Sequence, residues 1–186
     1  LGNTLNIFLA PSVEVDLESL TRHVFASSSC GVCGKATIEA VQQNFPPVVS
    51  EVRVSPEIIT GLPAKLREAQ ATFEQTGGLH AAAMFDARGK LLVLREDVGR
   101  HNAVDKVVGF GLLNDVSFAE CLLMVSGRAS FEIMQKALAA QVPIVAAVSA
   151  PSSLAVEFAQ ESGQTLIGFL RGETMNIYSR AERTGC

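Results

Sequence analysis

The sequence lacks any long hydrophobic run. Its longest apolar stretch, near residues 142–148, is far shorter than the roughly 20 residues that a membrane-spanning helix needs. A charged-then-apolar leader is also absent at the start, and the first residue is Leu1 rather than methionine, so we expect that a native N-terminal segment is missing. Because the sequence has no apolar run long enough to span a membrane, we expect no membrane association.

Cysteine and excess basic charge are scarce as well. Four cysteines, of which two form one C-x-x-C, are too few and too unevenly placed for a secreted disulfide scaffold, which indicates a reducing, cytoplasmic compartment. The net charge of −4 argues against nonspecific binding of nucleic acid through a basic face. Any site for an anion must therefore be local.

What the sequence does contain is a strong α/β pattern. With 48% apolar residues in 186, the chain has enough material for a sizeable core. Residues 79–86 and 91–97 read as a hairpin, and a β-α-β-α-β pattern follows it. The strands are predicted at 121–125, 144–148 and 165–170, the helices at 102–113, 130–140 and 153–161, and a last short strand at 175–178. These near-continuous apolar strands predict a three-layer α/β/α fold with a mixed sheet.

The first part of the chain is less regular. A short strand is predicted at 6–10, helices follow Asp16 and span 35–41, and a longer helix is expected over 63–76 with Gly77 as its left-handed cap. Residues 1–76 are thus the N-terminal part and residues 77–186 the α/β core of what we expect to be one continuous domain.

Polar side chains gather in three strand-to-helix turns, 95–106, 126–130 and 149–153. If the intervening strands are parallel, all three turns lie at the carboxyl edge of the sheet, where such sheets bind ligands and where helix N termini attract phosphate. Lys106 would add charge to that edge. The candidate binding residues in these turns are Gly99, Arg100, His101, Ser126, Gly127, Arg128, Ser149, Pro151 and Ser152.

Each turn also has a plain structural interpretation. Serine is a favoured helix cap, so the turns at 126–130 and 149–153 can be capping sequences and nothing more. The charged residues of 95–106 can form a salt-bridge cluster that holds the turn together. Taken together, however, the three turns favour a ligand-binding site at this edge of the sheet.

The pair Cys30 and Cys33 leaves three chemistries open. A zinc site needs more ligands than one C-x-x-C supplies, and no second paired motif completes it. A redox-active disulfide is possible in principle, but no thioredoxin-like β-α-β pattern surrounds the motif. The small residues on both sides of the pair suit a nucleophilic thiolate that accepts and passes on sulfane sulfur.

His80 and the two cysteines outside the C-x-x-C carry weaker signals. His80 opens an apolar strand and suits a core position or a site equally well. Cys121 begins a buried strand and is expected to be a small packing residue, and Cys186 ends the chain and is expected to be inert.

Several stretches together resemble the formate dehydrogenase accessory sulfurtransferases of the FdhD family. The resemblance covers essentially the whole chain, and its longest block is highly specific. The stretches, in chain order, are SSCGVCGK, TGGLHAAAMF, REDVGRHNAVDKVVG, SGRASFEIMQKA and SAPSSLAVEFA.

The resemblance implies a cytidine-deaminase-like α/β fold and a homodimer. It implies that a cysteine desulfurase loads a persulfide onto Cys30, with Cys33 assisting or resolving transfer. The sulfur then passes to the molybdenum of a bis(molybdopterin guanine dinucleotide) cofactor destined for formate dehydrogenase. Deamination is not expected, because the H-x-E and P-C-x-x-C zinc signature is absent.

The cofactor-contacting segment near the C terminus is assigned by the same resemblance. It comprises Phe169, Leu170, Arg171, Gly172, Glu173 and Thr174. GDP or GTP is expected to occupy the site as a surrogate for the cofactor. A function of another class remains open: a chaperone that only holds the cofactor or a nucleotide, with the cysteines as a redox latch.

Overall fold

The fold alternates helices and strands around one sheet. A computed structural model describes residues 6, 8–14 and 45–185. Its helices are α1 (Pro56–Ala69), α2 (Ala71–Thr76), α3 (Arg100–Leu113), α4 (Phe131–Ala139) and α5 (Ser153–Glu161), followed by a 3-10 turn at Ala181–Thr184. Its strands are β1 (His80–Asp86), β2 (Leu91–Asp97), β3 (Cys121–Val125), β4 (Ile144–Ala147), β5 (Thr165–Arg171) and β6 (Thr174–Ser179).

The six strands form a mixed sheet in the order β2-β1-β3-β4-β5-β6. Strand β1 is antiparallel to both β2 and β3, whereas β3, β4 and β5 are parallel and β6 returns antiparallel to β5. It follows that β2, β3, β4 and β5 all end at one edge of the sheet, which we call the carboxyl edge. Strand β1 begins at this edge, where His80 pairs with Asp97.

The sheet is covered on both faces. Strands β3 and β4 are buried along their whole length, as expected for strands between two helical layers. On one face α3, α4 and α5 pack through residues such as Val104, Ile133 and Ala155. On the other face α1 contributes Leu62 and its neighbours. The predicted three-layer α/β fold with a mixed sheet is confirmed.

The helix predicted over 63–76 is corrected at both its start and its middle. Helix α1 begins already at Pro56, because proline is favoured in the first turn, where its missing N–H would be unpaired anyway. Pro63 therefore lies inside the helix rather than at its start. The helix is then broken at Gln70, whose ψ of 71° is not helical, before α2 continues to Thr76. Gly77 caps α2 at a φ of 65°, as predicted.

The start of the chain also differs from expectation where it is described. Residues 6 and 8–10 are not in a strand, they pair with no strand in the described part of the chain, and Phe8 is 92% exposed. The helices predicted after Asp16 and over 35–41 lie outside the described residues. Within the described residues, no helix has the length and hydropathy that crossing a membrane requires.

The division of the chain at residue 76 stays a prediction, because much of the first part lies outside the described residues. Where both sides are described, they share one core. Ile59 and Leu66 of α1 are buried in the same cluster as Phe85 of β1 and Ile144 of β4.

Candidate functional site

The turn between β2 and α3 satisfies most of its own charges. The carboxylate of Asp97 accepts hydrogen bonds from the N–H of Gly99 (2.8 Å) and the amide of Asn102 (3.1 Å). It also forms an ion pair with the ammonium of Lys106 at 2.6 Å. Lys106, and then the N–H of Gly99, hold the pKa of the Asp97 carboxyl below its usual value. These residues fix the turn, and Lys106 adds no unpaired charge to the edge.

The neighbouring charged residues also have structural partners. Glu96 accepts hydrogen bonds from the N–H groups of Thr72 (2.9 Å) and Phe73 (2.8 Å), so it caps the start of α2. The guanidinium of Arg95 lies over the ring of Phe110 at 5.2 Å. The salt-bridge interpretation of this turn is therefore right for much of it.

Arg100 is the exception in that turn. It is the first residue of α3, and its Nε atom is buried without a hydrogen-bond partner in the described part of the chain. A buried guanidinium nitrogen without a partner is costly, so such a group points to an anion that would complete it. The side chain of Arg100 lies against the next turn of the edge, close to Gly127.

Arg100 and Arg128 line the same cavity, which we call the arginine cavity. It has a volume of about 550 Å³ and lies between the N termini of α4 and α5. Arg128 makes no hydrogen bond or ion pair with any described residue and is exposed. The other lining residues are Ala129, Ser130, Phe131, Glu132, Ala150, Pro151, Ser152 and Leu154. The cavity thus combines two guanidinium groups with two helix N termini, an arrangement suited to phosphate.

A buried hydrogen-bonded pair lies beside this cavity. His101 is 4% exposed, and its Nε2 is 3.0 Å from the hydroxyl of Ser130. The same nitrogen is 3.7 Å from a carboxylate oxygen of Glu132. Burial, and then the charge of Arg100, lower the pKa of His101, which favours the neutral ring.

Glu132 presents a carboxylate to the arginine cavity. Burial alone would raise its pKa, but the hydroxyl of Ser130, the backbone and the nearby His101 and Arg100 lower it below the usual value. Because the Ser130 hydroxyl interacts with this carboxylate, the Ser130 oxygen is best placed to accept a hydrogen bond from the N–H at His101 Nε2. The chain from His101 through Ser130 to Glu132 keeps an ionised acceptor at the cavity wall.

The turn at 149–153 joins the neighbouring turn directly. Pro151 forms a parallel bridge with Ala129, and the N–H of Ser152 donates to the carbonyl of Ala129 at 3.0 Å. The hydroxyl of Ser152 caps α5 by accepting from the N–H of Ala155 at 3.2 Å. The capping interpretation is therefore correct for Ser152, although the residue also lines the cavity.

The end of β5 packs against that turn. The N–H of Phe169 donates to the carbonyl of Ser149 (3.2 Å), and Arg171 Nε donates to the carbonyl of Val148 (3.0 Å). Phe169 has a φ of 51°, unusual for an aromatic residue, and remains 39% exposed. Gly168 leaves room for Pro151, since a Cβ there would lie 2.7 Å from Pro151 Cδ. The C-terminal segment is thus brought to the carboxyl edge.

Other predicted site residues lie farther from the cavity wall. Leu170 is fully buried in the core on the α1 face. Gly172 and Glu173 form the exposed turn between β5 and β6, Thr174 is the first residue of β6, and none of the three lines the arginine cavity. Gly99 precedes α3 as its N-cap residue in extended conformation.

Ser126, in the turn at 126–130, and His80 lie on the α1 face of the sheet rather than at the arginine cavity. The hydroxyl of Ser126 accepts from the N–H of Ala81 at 2.9 Å, which ties β3 to the start of β1. Both residues line a second cavity on the α1 face, which we call the glutamine cavity because Gln70 forms part of its wall. Gly127 lies between the two, with His80 Nδ1 3.3 Å and Arg100 Cδ 3.7 Å from the position of a Cβ.

The predicted sulfur-handling residues Cys30 and Cys33 lie outside the described residues, as does Cys186. Cys121 is buried in the core, and burial raises its pKa to about 11, so it is the packing residue that was predicted. In the described ranges, no group of three or more histidine, cysteine and acidic side chains is placed to hold a metal ion.

Two parts of the site were missed from the sequence. Glu132 is an acidic residue in the first turn of a helix, which ordinarily indicates only stabilisation of the helix dipole. Gln70 and Arg67 lie in a segment predicted to be one continuous helix, so no cavity was expected there. Only the break of the helix at Gln70 could have drawn attention to it.

The fold and its edge define a class of protein: a three-layer α/β protein with a cavity lined by two arginines at the carboxyl edge of a mixed sheet. The sequence matches the FdhD/NarQ family over residues 4–185. It is 52% identical over 185 residues to the sulfur carrier protein FdhD of Streptomyces coelicolor, covering 97% of this chain and 66% of that one. It is 49% identical over 163 residues to the protein of the same name from Saccharolobus solfataricus, covering 87% and 62%.

A solved structure supports the same relationship. A crystal structure described as a formate dehydrogenase accessory protein from Desulfotalea psychrophila superposes with a TM-score of 0.69 at 31% identity, covering 75% of this chain and 59% of that one. The chain belongs to the FdhD/NarQ family. It spans about two thirds of the length of the curated relatives that it matches, 66% in the Streptomyces protein.

Proposed function

We propose that the protein is a sulfur carrier that takes persulfide sulfur from a cysteine desulfurase and transfers it to the molybdenum cofactor of formate dehydrogenase. The observation that carries this proposal is the arginine cavity in a chain of the FdhD/NarQ family. Arg100 and Arg128 offer unpaired guanidinium groups there, which suit the phosphates of a dinucleotide cofactor.

The cavity also suits guanine better than adenine. The ionised carboxylate of Glu132 is an acceptor, and guanine presents two adjacent N–H donors on its Watson–Crick edge where adenine does not. A carboxylate would repel phosphate, so we place the base near Glu132 and the phosphates near Arg100 and Arg128. GDP or GTP should therefore bind as a surrogate for bis(molybdopterin guanine dinucleotide).

The sulfur chemistry is assigned to Cys30 and Cys33. The Cys30 thiolate attacks the terminal sulfur of the desulfurase persulfide, which forms the Cys30 persulfide and frees the desulfurase thiolate. Attack of the Cys33 thiolate on the inner sulfur of Cys30 then forms a disulfide between them and releases hydrosulfide. The two thiols supply the two electrons, and a cellular thiol must later reduce the disulfide. The molybdenum cofactor is the substrate that receives the sulfur.

The partners follow from this chemistry. A cysteine desulfurase supplies the sulfur, and formate dehydrogenase receives the sulfurated cofactor. The reducing compartment in which thiols of this kind remain free is the cytoplasm. We further propose that the protein acts as a homodimer.

Sulfur loading is the direct test of this proposal. Incubation of the protein with a desulfurase and cysteine, followed by intact-mass measurement, should show added sulfur that a reductant removes. Cys30→Ala should abolish this addition, whereas Cys121→Ala, a change of the buried core cysteine, should preserve it.

Two results would contradict the assignment in different ways. Absence of added sulfur together with retained GDP binding would indicate a chaperone that holds the cofactor and uses its cysteines only as a redox latch. Loading that is lost in Cys33→Ala but not in Cys30→Ala would reverse the roles of the two cysteines.

A further inference from the structure

A polar cleft lies at the edge of the sheet opposite to the arginine cavity. Strand β5 begins at this edge and β6 ends there, so we call it the amino edge. The cleft, which we call the Arg183 cleft, has a volume of about 260 Å³. Residues 48–53 line one side of it, and Arg180, Glu182 and Arg183 line the other. It therefore shares no lining residue with the arginine cavity.

Arg183 is a buried cation in the wall of this cleft. The residue is 8% exposed, and its Nε donates to the carbonyl of Ser50 at 3.1 Å. Its Nη1 donates to the carbonyl of Gly163 at 2.7 Å and to the hydroxyl of Thr165 at 3.4 Å. The other terminal nitrogen, Nη2, donates to none of the described residues and stays accessible from the cleft. The guanidinium is thus fixed in place by neutral oxygens, with one end open to a ligand.

Among the described residues, no carboxylate forms an ion pair with Arg183. Glu51 and Glu182 are near enough to act on its pKa, but Glu182 pairs with Arg180 instead, at 3.4 Å. Burial, and then the charge of Arg180, lower the pKa of the Arg183 guanidinium. A buried charge is costly unless it is paired, so Arg183 points to an anion that enters the cleft and completes it.

Two more arginines line the same cleft. Arg180 has a φ of 50°, a left-handed conformation that is costly for a residue with a side chain. Its Nη2 lies 3.7 Å from the position of a Cβ on Gly163, the residue whose carbonyl Arg183 binds. Arg53 is exposed and makes no hydrogen bond or ion pair with a described residue. Three guanidinium groups therefore stand against two carboxylates in a protein of net charge −4, a local excess that favours an anionic ligand.

We propose that the Arg183 cleft binds a small oxyanion, a phosphate or carboxylate group, as the counter-ion of Arg183. Nη2 of Arg183 and the guanidinium of Arg180 donate to its oxygens, since planar guanidinium groups bind both kinds of anion well. The cleft is smaller than the roughly 300 to 1,000 Å³ of most cofactor sites, which favours a small ligand. This inference goes beyond the proposed function and does not depend on it.

The Nε–H resonance of Arg183 in a heteronuclear NMR spectrum reports on this cleft directly. The protein is titrated with inorganic phosphate and, separately, with acetate, with chloride keeping the ionic strength constant. The Arg183 signal should shift to saturation with at least one of the two anions, and the tighter anion tells whether the ligand carries a phosphate or a carboxylate group. Absence of a saturable shift with both anions, or the same shift with chloride alone, would overturn the inference.

Three arginine variants make the test specific. Arg180→Gln removes a donor from the cleft but none of the bonds that fix Arg183, so anion affinity should fall about tenfold. Arg53→Gln should weaken binding less, because its side chain is exposed. Arg88→Gln is the matched control: it removes an exposed arginine of the β1–β2 turn that does not line the cleft, so affinity should stay within about twofold of the parent.

The outcomes separate this inference from the proposed function. Affinity that is unchanged in both Arg180→Gln and Arg53→Gln, or that falls equally in Arg88→Gln, would overturn the anion site and leave the nucleotide site untouched. Arg128→Ala alters only the arginine cavity, so the Arg183 signal should respond to the anion as in the parent. Failure of GDP to bind would instead contradict the nucleotide site, because the Arg183 signal reports on the cleft whether or not GDP is bound.

Discussion

The turns before α3 and α4 lie at the same sheet edge but use charge in opposite ways. Before α3, the Asp97 carboxylate is hydrogen-bonded to Gly99 and Asn102 and paired with Lys106, so its charge is neutralised within the turn. Before α4, Arg128 has no partner among the described residues, and it shares a cavity with Arg100. The turn before α3, which has more charged residues, therefore uses them to hold the protein together, whereas the turn before α4 leaves a charge available to a ligand.

This difference shows that unpaired charge is a better guide to a site than the number of charged residues. A carboxylate with three partners is already stabilised and has little left to offer a ligand. A buried guanidinium nitrogen without a partner carries a desolvation cost that an anion relieves. Substitutions in the two turns should accordingly affect different properties.

The largest effect is expected on stability, from the first turn. Asp97→Ala removes three hydrogen bonds to one carboxylate and leaves Lys106 without its counter-charge, so the free energy of unfolding should fall by about 2 to 3 kcal/mol. GDP affinity of the folded protein should change by no more than about twofold. Chemical denaturation and calorimetry measure the two quantities.

Asp105→Ala is the matched control for that change. Among the described residues its carboxylate pairs with Lys136 alone, and it is half exposed, so its loss should cost less than about 1 kcal/mol. If Asp105→Ala lowered the stability as much as Asp97→Ala, the loss would not depend on the hydrogen bonds within the turn. That result would contradict the structural role of Asp97.

A smaller effect concerns the choice of base. Glu132→Gln removes the ionised acceptor from the arginine cavity, so the preference for GDP over ADP should fall about tenfold. Titration of both nucleotides gives the ratio. Glu157→Gln, an exposed change on α5, should leave the ratio as it is. An undiminished preference in Glu132→Gln would move base recognition elsewhere.

The smallest effect is a change in pH dependence. Burial, and then Arg100, lower the pKa of His101 in the folded protein, so the unfolded chain binds a proton more readily than the fold does. Stability from this residue is present above the ordinary value of 6.5 and is lost as pH falls from there through the lower folded pKa. His101→Gln, which keeps a donor for Ser130, should flatten the fall in unfolding free energy as the pH is lowered through and below 6.5. An equally steep fall in the variant would contradict this cause.

The second half of the fold was predictable because its strands are buried on both faces. The strand from Cys121 was predicted with the bounds that the structure has, since a continuous apolar run bounded by polar turns has few alternatives. The start of α1 was not predicted, because Pro63 looked like a helix start when Pro56 fills that role.

The sequence predicted which turns form the site, but not which of their side chains pair with each other. Strands β2, β3 and β4 run in the same direction and bring Arg100, Arg128 and Ser152 to one cavity, as the order of elements implied. The partners of Asp97, and the lack of a described partner for Arg100 Nε, depend on side-chain positions that no spacing reveals. The same is true of Gln70, which lines a cavity because the helix breaks there.

The most direct measurement of the nucleotide site is a calorimetric titration of GDP into the parent protein, Arg128→Ala and Lys106→Ala. A charge-assisted contact contributes roughly 1.5 to 3 kcal/mol, so Arg128→Ala should lose about tenfold or more in affinity. Lys106→Ala removes the same charge from the paired turn and should stay within about twofold of the parent. Unchanged affinity in Arg128→Ala, or an equal loss in Lys106→Ala, would contradict recognition of phosphate by the unpaired arginines.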